Sequence, residues 1–218
     1  MPLSKDTERR RALVTGAGTG LGREVALQLC QRGCAVAVLD LNAAALDEAA
    51  SALREAGGTV LPIVVDLTVE GRVEEAIQSV VTQWGGLDIL VNNAGYGVIE
   101  PFLDSKRRTW ERTLAVNVTA LAMACAAAGR AMREQRSGRI VNITSPASRM
   151  ALPDYTAYAA SKAGVDAITR AAAVALAPYG VLVNSLAPGM MDTEMQRSTE
   201  AELARLGGQR GEARLAGQ

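Results

Sequence analysis

The stretch TGAGTGLG, residues 15 to 22, constrains the fold more than any other part of this chain. It follows Ala12-Leu-Val-Thr15, a short apolar run that reads as a strand, and it leads into Leu21 to Gln31, which carries a helical pattern. A strand that turns through glycines into a helix points the helix's unsatisfied N–H groups and its positive end at whatever sits above the turn. Gly16, Gly20 and Gly22 permit a tight turn and a close backbone approach to a pyrophosphate. The plainer reading is a glycine turn with no ligand, and the strand-turn-helix context favours the dinucleotide reading over it.

The rest of the chain repeats that grammar. Ala35 to Leu39, Val60 to Val65, Leu87 to Val91, Arg139 to Ile143 and Val181 to Ser185 are further strand-like runs with helical stretches between them. Ala43 to Glu55 is one such stretch, stopped by Gly57-Gly58. The runs are almost continuously apolar, which suits strands buried on both faces of a parallel sheet. The expected fold is α/β, a doubly wound parallel sheet of the Rossmann type with six strands. Residues 1 to 206 read as one dinucleotide-binding and catalytic domain, and 207 to 218, glycine-rich and poor in large apolar groups, as a flexible tail.

Composition removes whole classes of chemistry. The chain contains no histidine, which excludes Ser-His and Cys-His mechanisms and most zinc sites. Cys30, Cys34 and Cys125 have no metal-ligand spacing, so no metal is expected; they read as small core residues in a reducing, cytoplasmic setting. Basic and acidic residues balance at 23 each, which gives no electrostatic case for nucleic acid. Arg9, Arg10 and Arg11 read as a solvated chain end. Leu114 to Met132 is long and apolar but is broken by Asn117 and Arg130, so a buried helix is expected there and not a membrane span.

Asp40 stands at the end of the second run. A carboxylate there accepts hydrogen bonds from both ribose hydroxyls of NAD and repels a 2′-phosphate. No Arg or Lys occupies 17 to 19 or 41 to neutralise that phosphate, so NAD is favoured over NADP. The bland alternative for Asp40 is a turn or helix cap ahead of Asn42.

With these features in place the chain resembles the short-chain dehydrogenase/reductase family, of the type carrying TGxxxGxG and YxxxK. The matching residues occur in family order: TGAGTGLG at 15–22, Asp66 after the third strand, NNAG at 92–95, Asn117, Ser145, YAASK at 158–162, Asn184 and PGMMDT at 188–193. The likeness spans about residues 10 to 195. It implies a catalytic set of Asn117, Ser145, Tyr158 and Lys162. It also implies cofactor contacts from Gly16, Thr19, Gly20, Leu21 and Gly22, from Asp40, and from Asp66 and Leu67 near the adenine. Further implied contacts come from Asn93, Ala94 and Gly95, with Asn92 assigned to the same floor, from Tyr158 and Lys162, and from Pro188, Gly189, Met191 and Thr193 near the nicotinamide.

The chemistry of these residues supports those roles. A phenol has a reference pKa of ~10, and lowering it by three units takes roughly 4 kcal/mol. An ammonium one helical turn away, next to an oxidised nicotinamide, favours the phenolate. Tyr158 is then the general acid/base for a secondary alcohol and ketone pair, Ser145 holds the substrate oxygen, and Asn117 anchors a water leading to Lys162. Taken singly, each residue also has a structural explanation. Tyr158 and Lys162 could be an exposed i,i+4 pair, Ser145 and Asp66 caps, and Asn117 a polar break in a buried helix.

The C-terminal stretch leaves room for a second reading. The family continues past the Pro-Gly motif into a seventh strand, and nothing from 196 to 218 reads as a strand. The sixth strand is therefore expected to present an open edge. Tyr96, Val98, Met150, Leu152, Met190, Met191 and Met195 either line a largely apolar substrate pocket or fill the core. The main reading is an NAD(H)-dependent oxidoreductase acting on a small-molecule alcohol or ketone, a homodimer or homotetramer built on helices near 110–134 and 156–176. The alternative is a C-terminally shortened, non-catalytic nucleotide-binding or partner-binding protein of the same fold.

Overall fold

The computed structural model describes residues 10 to 216, with side chains to residue 207. Six parallel strands lie in the order β3-β2-β1-β4-β5-β6. They are β1 (Arg11–Thr15), β2 (Ala35–Asp40), β3 (Thr59–Val64), β4 (Ile89–Asn92), β5 (Gly138–Ile143) and β6 (Val181–Leu186). The order reverses between β1 and β4, which opens a crevice at the carboxyl ends of those two strands.

Helices cover both faces, as continuously apolar strands require. Leu13, Leu39, Leu90, Ile140 and Val183 form one core with α3 (Arg72–Trp84), α5 (Leu121–Gln135) and α6 (Thr156–Leu176). Val14, Val36, Val38 and Val91 pack on the other side with α1 (Gly20–Gln31) and α2 (Ala43–Glu55). Alternate residues of each strand thus feed alternate layers. Pro62 is tolerated within β3 because that strand is an edge. All three cysteines are buried and free, and no metal-ligating cluster exists among the described residues.

Several expectations change in detail. Arg11 is not a solvated chain-end charge. It is the first residue of β1, and its guanidinium meets Asp88 at 2.8 Å through both Nε and Nη2. That pair and the Arg11 main-chain N–H hold the Asp88 carboxyl below its usual range, against an opposing push from burial. Arg9 lies outside the described residues. The buried helix expected over 114 to 132 is α4 (Arg107–Leu114), a π-helical turn (Ala115–Ala120) that carries Asn117, and α5. By length and apolarity Arg107–Gln135 matches a membrane span, yet Leu121, Ala124, Ala128 and Met132 face the core.

After β6 the chain forms α7 (Glu194–Ala216), which runs to the last described residue. β6 is an edge strand, with Leu182 and Leu186 about half exposed at 51% and 53%. Met150, Met190, Met191 and Met195 are all exposed, so they are not core filler.

Candidate active site

The glycine loop between β1 and α1 is braced from the chain segment that follows β4. Thr15 Oγ1 accepts hydrogen bonds from the main-chain N–H of Asn93 and of Ala94, both at 3.0 Å. The Asn93 amide donates in return to the Thr15 oxygen at 3.0 Å and to the Gly16 oxygen at 2.9 Å. This close approach explains two of the glycines. A Cβ on Gly16, whose φ is +62°, would lie 2.8 Å from Ala94 Cα. One on Gly22 would overlap the Gly16 oxygen and the Asn93 amide. The result is a backbone cradle at the amino end of a 12-residue helix, the donor set a pyrophosphate needs.

Asp40 leaves β2 beside that cradle. One carboxylate oxygen accepts from Gly18 N–H at 2.9 Å and the other from Asn42 N–H at 3.0 Å. It therefore makes the local turn contact expected of it and also holds the glycine loop. The cap of α2 itself is Asn42, which accepts from Ala45 N–H at 3.2 Å. Asp66 Oδ1 takes both the N–H and the hydroxyl of Thr68, at 2.9 and 2.7 Å. Those two bonds hold its carboxyl below the usual range. Leu67 lines a small cavity with Thr15, Ala94 and Val116 beneath the crevice.

Asn92 departs from its expected place in the cofactor floor. It is buried, and its amide donates to Asn142 Oδ1 at 2.9 Å and to Cys125 Sγ at 3.3 Å. Asn142 donates onward to Thr169 Oγ1 at 2.9 Å, and Thr169 to the Val165 oxygen at 2.8 Å. This polar chain ties β4, β5, α5 and α6 together inside the core. Cys125 sits in it, donating its S–H to Asn142 Oδ1 and accepting from the Asn92 amide, and burial pushes its thiol up to about 11 against those bonds.

Tyr158 and Lys162 lie on α6, which packs against β6 and the short turn Pro146–Arg149. Ser145, at the end of β5, accepts from Ala147 N–H at 3.2 Å and so caps that turn. Its hydroxyl lies beside the Tyr158 phenol. Burial pushes the Tyr158 phenol up and the neighbouring Ser145 hydroxyl works against it. Lys162 is buried and donates from Nζ to the Ile143 oxygen at 2.8 Å. Its Nζ lies 5.5 Å from the centre of the Tyr158 ring. Burial pulls the lysine down to about 8, with Asp166 opposing. The pair is thus neither solvent-exposed nor a simple i,i+4 contact.

Asn117 is fully buried in the π-helical turn. Its Oδ1 accepts from Tyr96 N–H at 2.7 Å, and its Nδ2 donates to the Tyr96 oxygen at 2.8 Å and to Ser161 Oγ at 2.9 Å. Both ends of the amide are therefore committed to the chain. A single residue inserted in a helix to aim one side chain is what π turns commonly mark. The signal in the sequence is Asn117 flanked by β-branched Val116, Val118 and Thr119 within an otherwise alanine-rich run.

Thr193 closes the other side of the crevice. Its Cγ2 lies 3.2 Å from where a Gly20 Cβ would stand, and its hydroxyl accepts from Gln196 N–H at 3.2 Å at the start of α7. Gly189 meets nothing nearby, and Met191 is partly exposed on the same approach. The sequence reading did not single out Thr15, Asn142, Thr169 or Tyr155. Tyr155 stacks on Tyr158 with ring centres 4.3 Å apart and planes 10° from parallel. Its signal is the spacing in YTAY, residues 155 to 158, which puts two rings on one helix face.

Comparison with known proteins agrees with this geometry. Residues 10–204 match the family profile described as short chain dehydrogenase. An oxidoreductase of Bacillus subtilis (strain 168) is 37% identical over 194 residues, covering 89% of this chain and 76% of that protein. D-threitol dehydrogenase of Mycolicibacterium smegmatis is 35% identical over 184 residues, 84% of this chain and 71% of its own. The crystal structure of an NAD+-bound xylitol dehydrogenase superimposes with a TM-score of 0.80 at 41% identity, covering 83% of this chain and 70% of that one. This chain belongs to the short-chain dehydrogenase/reductase family of oxidoreductases.

Proposed function

We propose that this protein interconverts a small secondary alcohol and its ketone with NAD(H), Tyr158 serving as the general acid/base. The observation that carries the reading is the meeting of Tyr158, Ser145 and buried Lys162 at the carboxyl ends of β4 and β5, across the crevice from the glycine cradle. NAD(H) supplies the hydride acceptor or donor. The cradle fits its pyrophosphate, and the Asp40 carboxylate beside Gly18 fits two ribose hydroxyls while repelling a 2′-phosphate.

The proton step falls to the chain. Ser145 donates to the substrate oxygen and steadies charge that grows there. Tyr158 takes the alcohol proton at its phenolic oxygen in oxidation and returns it in reduction. Lys162 lowers the cost of the phenolate by its charge. Asn117 holds the Tyr96 backbone against Ser161 through both ends of its amide. Similarity to proteins named for D-threitol and xylitol favours small polyols as the substrate class. Assembly as a dimer or tetramer through α5 and α6 is part of the proposal, supported by exposed Met123 and Val174 on those helices.

The test is NADH absorbance with a panel of polyols and their ketones, comparing wild type with Tyr158→Phe. Turnover in wild type and a loss of at least ~1,000-fold in the variant, with NADH binding retained, is expected for an essential proton-transfer group. NADH binding without turnover in either protein contradicts the proposal.

A further inference from the structure

We infer that Tyr155 is a positioning residue for the proposed reaction: its stacked ring fixes the Tyr158 phenol. The inference rests on the proposed role of Tyr158. Tyr155 is the residue that caps α6, and its main chain is held on both sides. Its N–H donates to the Leu152 oxygen at 3.0 Å, and its own oxygen accepts from Ala159 N–H at 3.0 Å. The segment carrying it is tied to the strand-like loop after β4 by Glu100 N–H to the Asp154 oxygen, at 2.8 Å, and Phe102 N–H to the Pro153 oxygen, at 2.9 Å.

The ring stack is backed by Gly97 from that same loop. A Cβ on Gly97 would overlap the Tyr155 hydroxyl and come within 2.8 Å of Tyr158 Cδ2. The two rings therefore lie against bare backbone, and any side chain at 97 would displace them.

The Tyr155 ring excludes water from Tyr158 and restricts its rotation, which governs the proton step. Tyr155 does not compete for the proton, because burial first and the neighbouring Tyr158 second push its own hydroxyl up to about 12.

The experiment is a tyrosinate absorbance titration of the NAD-free protein, with the Tyr158→Phe counterpart of each variant used to assign the Tyr158 step, together with kcat and KM on the best polyol substrate. Tyr155→Leu is expected to lower the Tyr158 midpoint by about one pH unit, through loss of desolvation, and to reduce kcat about tenfold or more. Tyr155→Phe keeps the stack, so its Tyr158 midpoint and kcat should stay near wild type. Tyr155→Met, which also removes the ring, should behave as Tyr155→Leu does, and it carries the test if the leucine variant does not fold. An unchanged Tyr158 midpoint and kcat in Tyr155→Leu or in Tyr155→Met overturns the inference, as does equal loss in the phenylalanine and leucine variants. The titration needs no turnover, so a wild-type protein inactive on every polyol would refute the proposed function and still leave this inference to be judged by the midpoints.

Discussion

Lys162 gives its ammonium to the main-chain oxygen of Ile143 at 2.8 Å while standing 5.5 Å from the centre of the Tyr158 ring. It is 4% exposed, so the charge that would ease ionisation of the phenol is itself held at a cost. Burial lowers its pKa from 10.5 to about 8. The unfolded chain therefore binds more protons than the folded one between those values, and stability from this group rises with pH across that window. Below about pH 8 the full penalty is present. Lys162→Met should thus stabilise the NAD-free protein at pH 7, by up to ~3 kcal/mol less the cost of leaving Ile143's oxygen unpaired, and so raise its melting temperature. Differential scanning calorimetry at pH 7 and pH 10 checks this. A variant less stable than wild type at pH 7 would show that the lysine is structural.

Asp40 makes the cofactor choice a local charge question. Replacing it with Ala removes the repulsion of a 2′-phosphate and the acceptor for Gly18 N–H. Asp40→Ala should narrow the ratio of NADPH to NADH dissociation constants by about tenfold or more, equivalent to ~1.4 kcal/mol. Fluorescence titration of both reduced cofactors measures it. A wild type that already binds NADPH more tightly refutes the assignment.

Gly16 has no room for a methyl group, because Ala94 Cα and the Asn93 amide stand against it and its φ is +62°. Gly16→Ala must open the brace between the glycine loop and NNAG. Loss of NADH affinity of at least about tenfold, with a stability cost of ~1–2 kcal/mol, is the expected result by equilibrium binding and urea denaturation. Retained affinity would mean the loop holds no pyrophosphate.

The buried chain Asn92–Asn142–Thr169 makes a prediction about the fold alone. Asn142→Val strands the Asn92 amide and should cost ~1–3 kcal/mol in urea denaturation. Pairing it with Asn92→Val removes both polar partners and should restore part of that loss. Additive losses would mean that packing, not the hydrogen bond, sets the cost.

Much of this was legible because local and global signals coincide. The six apolar runs became the six strands, in the order that the glycine loop implies, since strands buried on both faces cannot hide their pattern. Where the reading slipped, a distant partner decided the matter. Leu87 was expected in β4, but its N–H and oxygen are taken by the Gln135 side chain, at 2.8 Å each, and the strand begins at Ile89. Asn117 looked like a break in a helix, and only the Tyr96 backbone facing it shows why the turn widens. Asn92 shares the NNAG motif with Asn93, yet one side chain points to the core network and the other to the loop. Strand alternation separates such neighbours, and a motif read as a string does not.

The central claim is that positive charge beside Tyr158 overcomes the burial that holds its phenol up. Tyrosinate absorbance titrated with and without saturating NAD, using Tyr158→Phe to identify the step, tests it most directly. The account predicts that NAD lowers the Tyr158 midpoint by about two units or more, towards neutrality. A midpoint that stays at or above ~10 with NAD bound contradicts it.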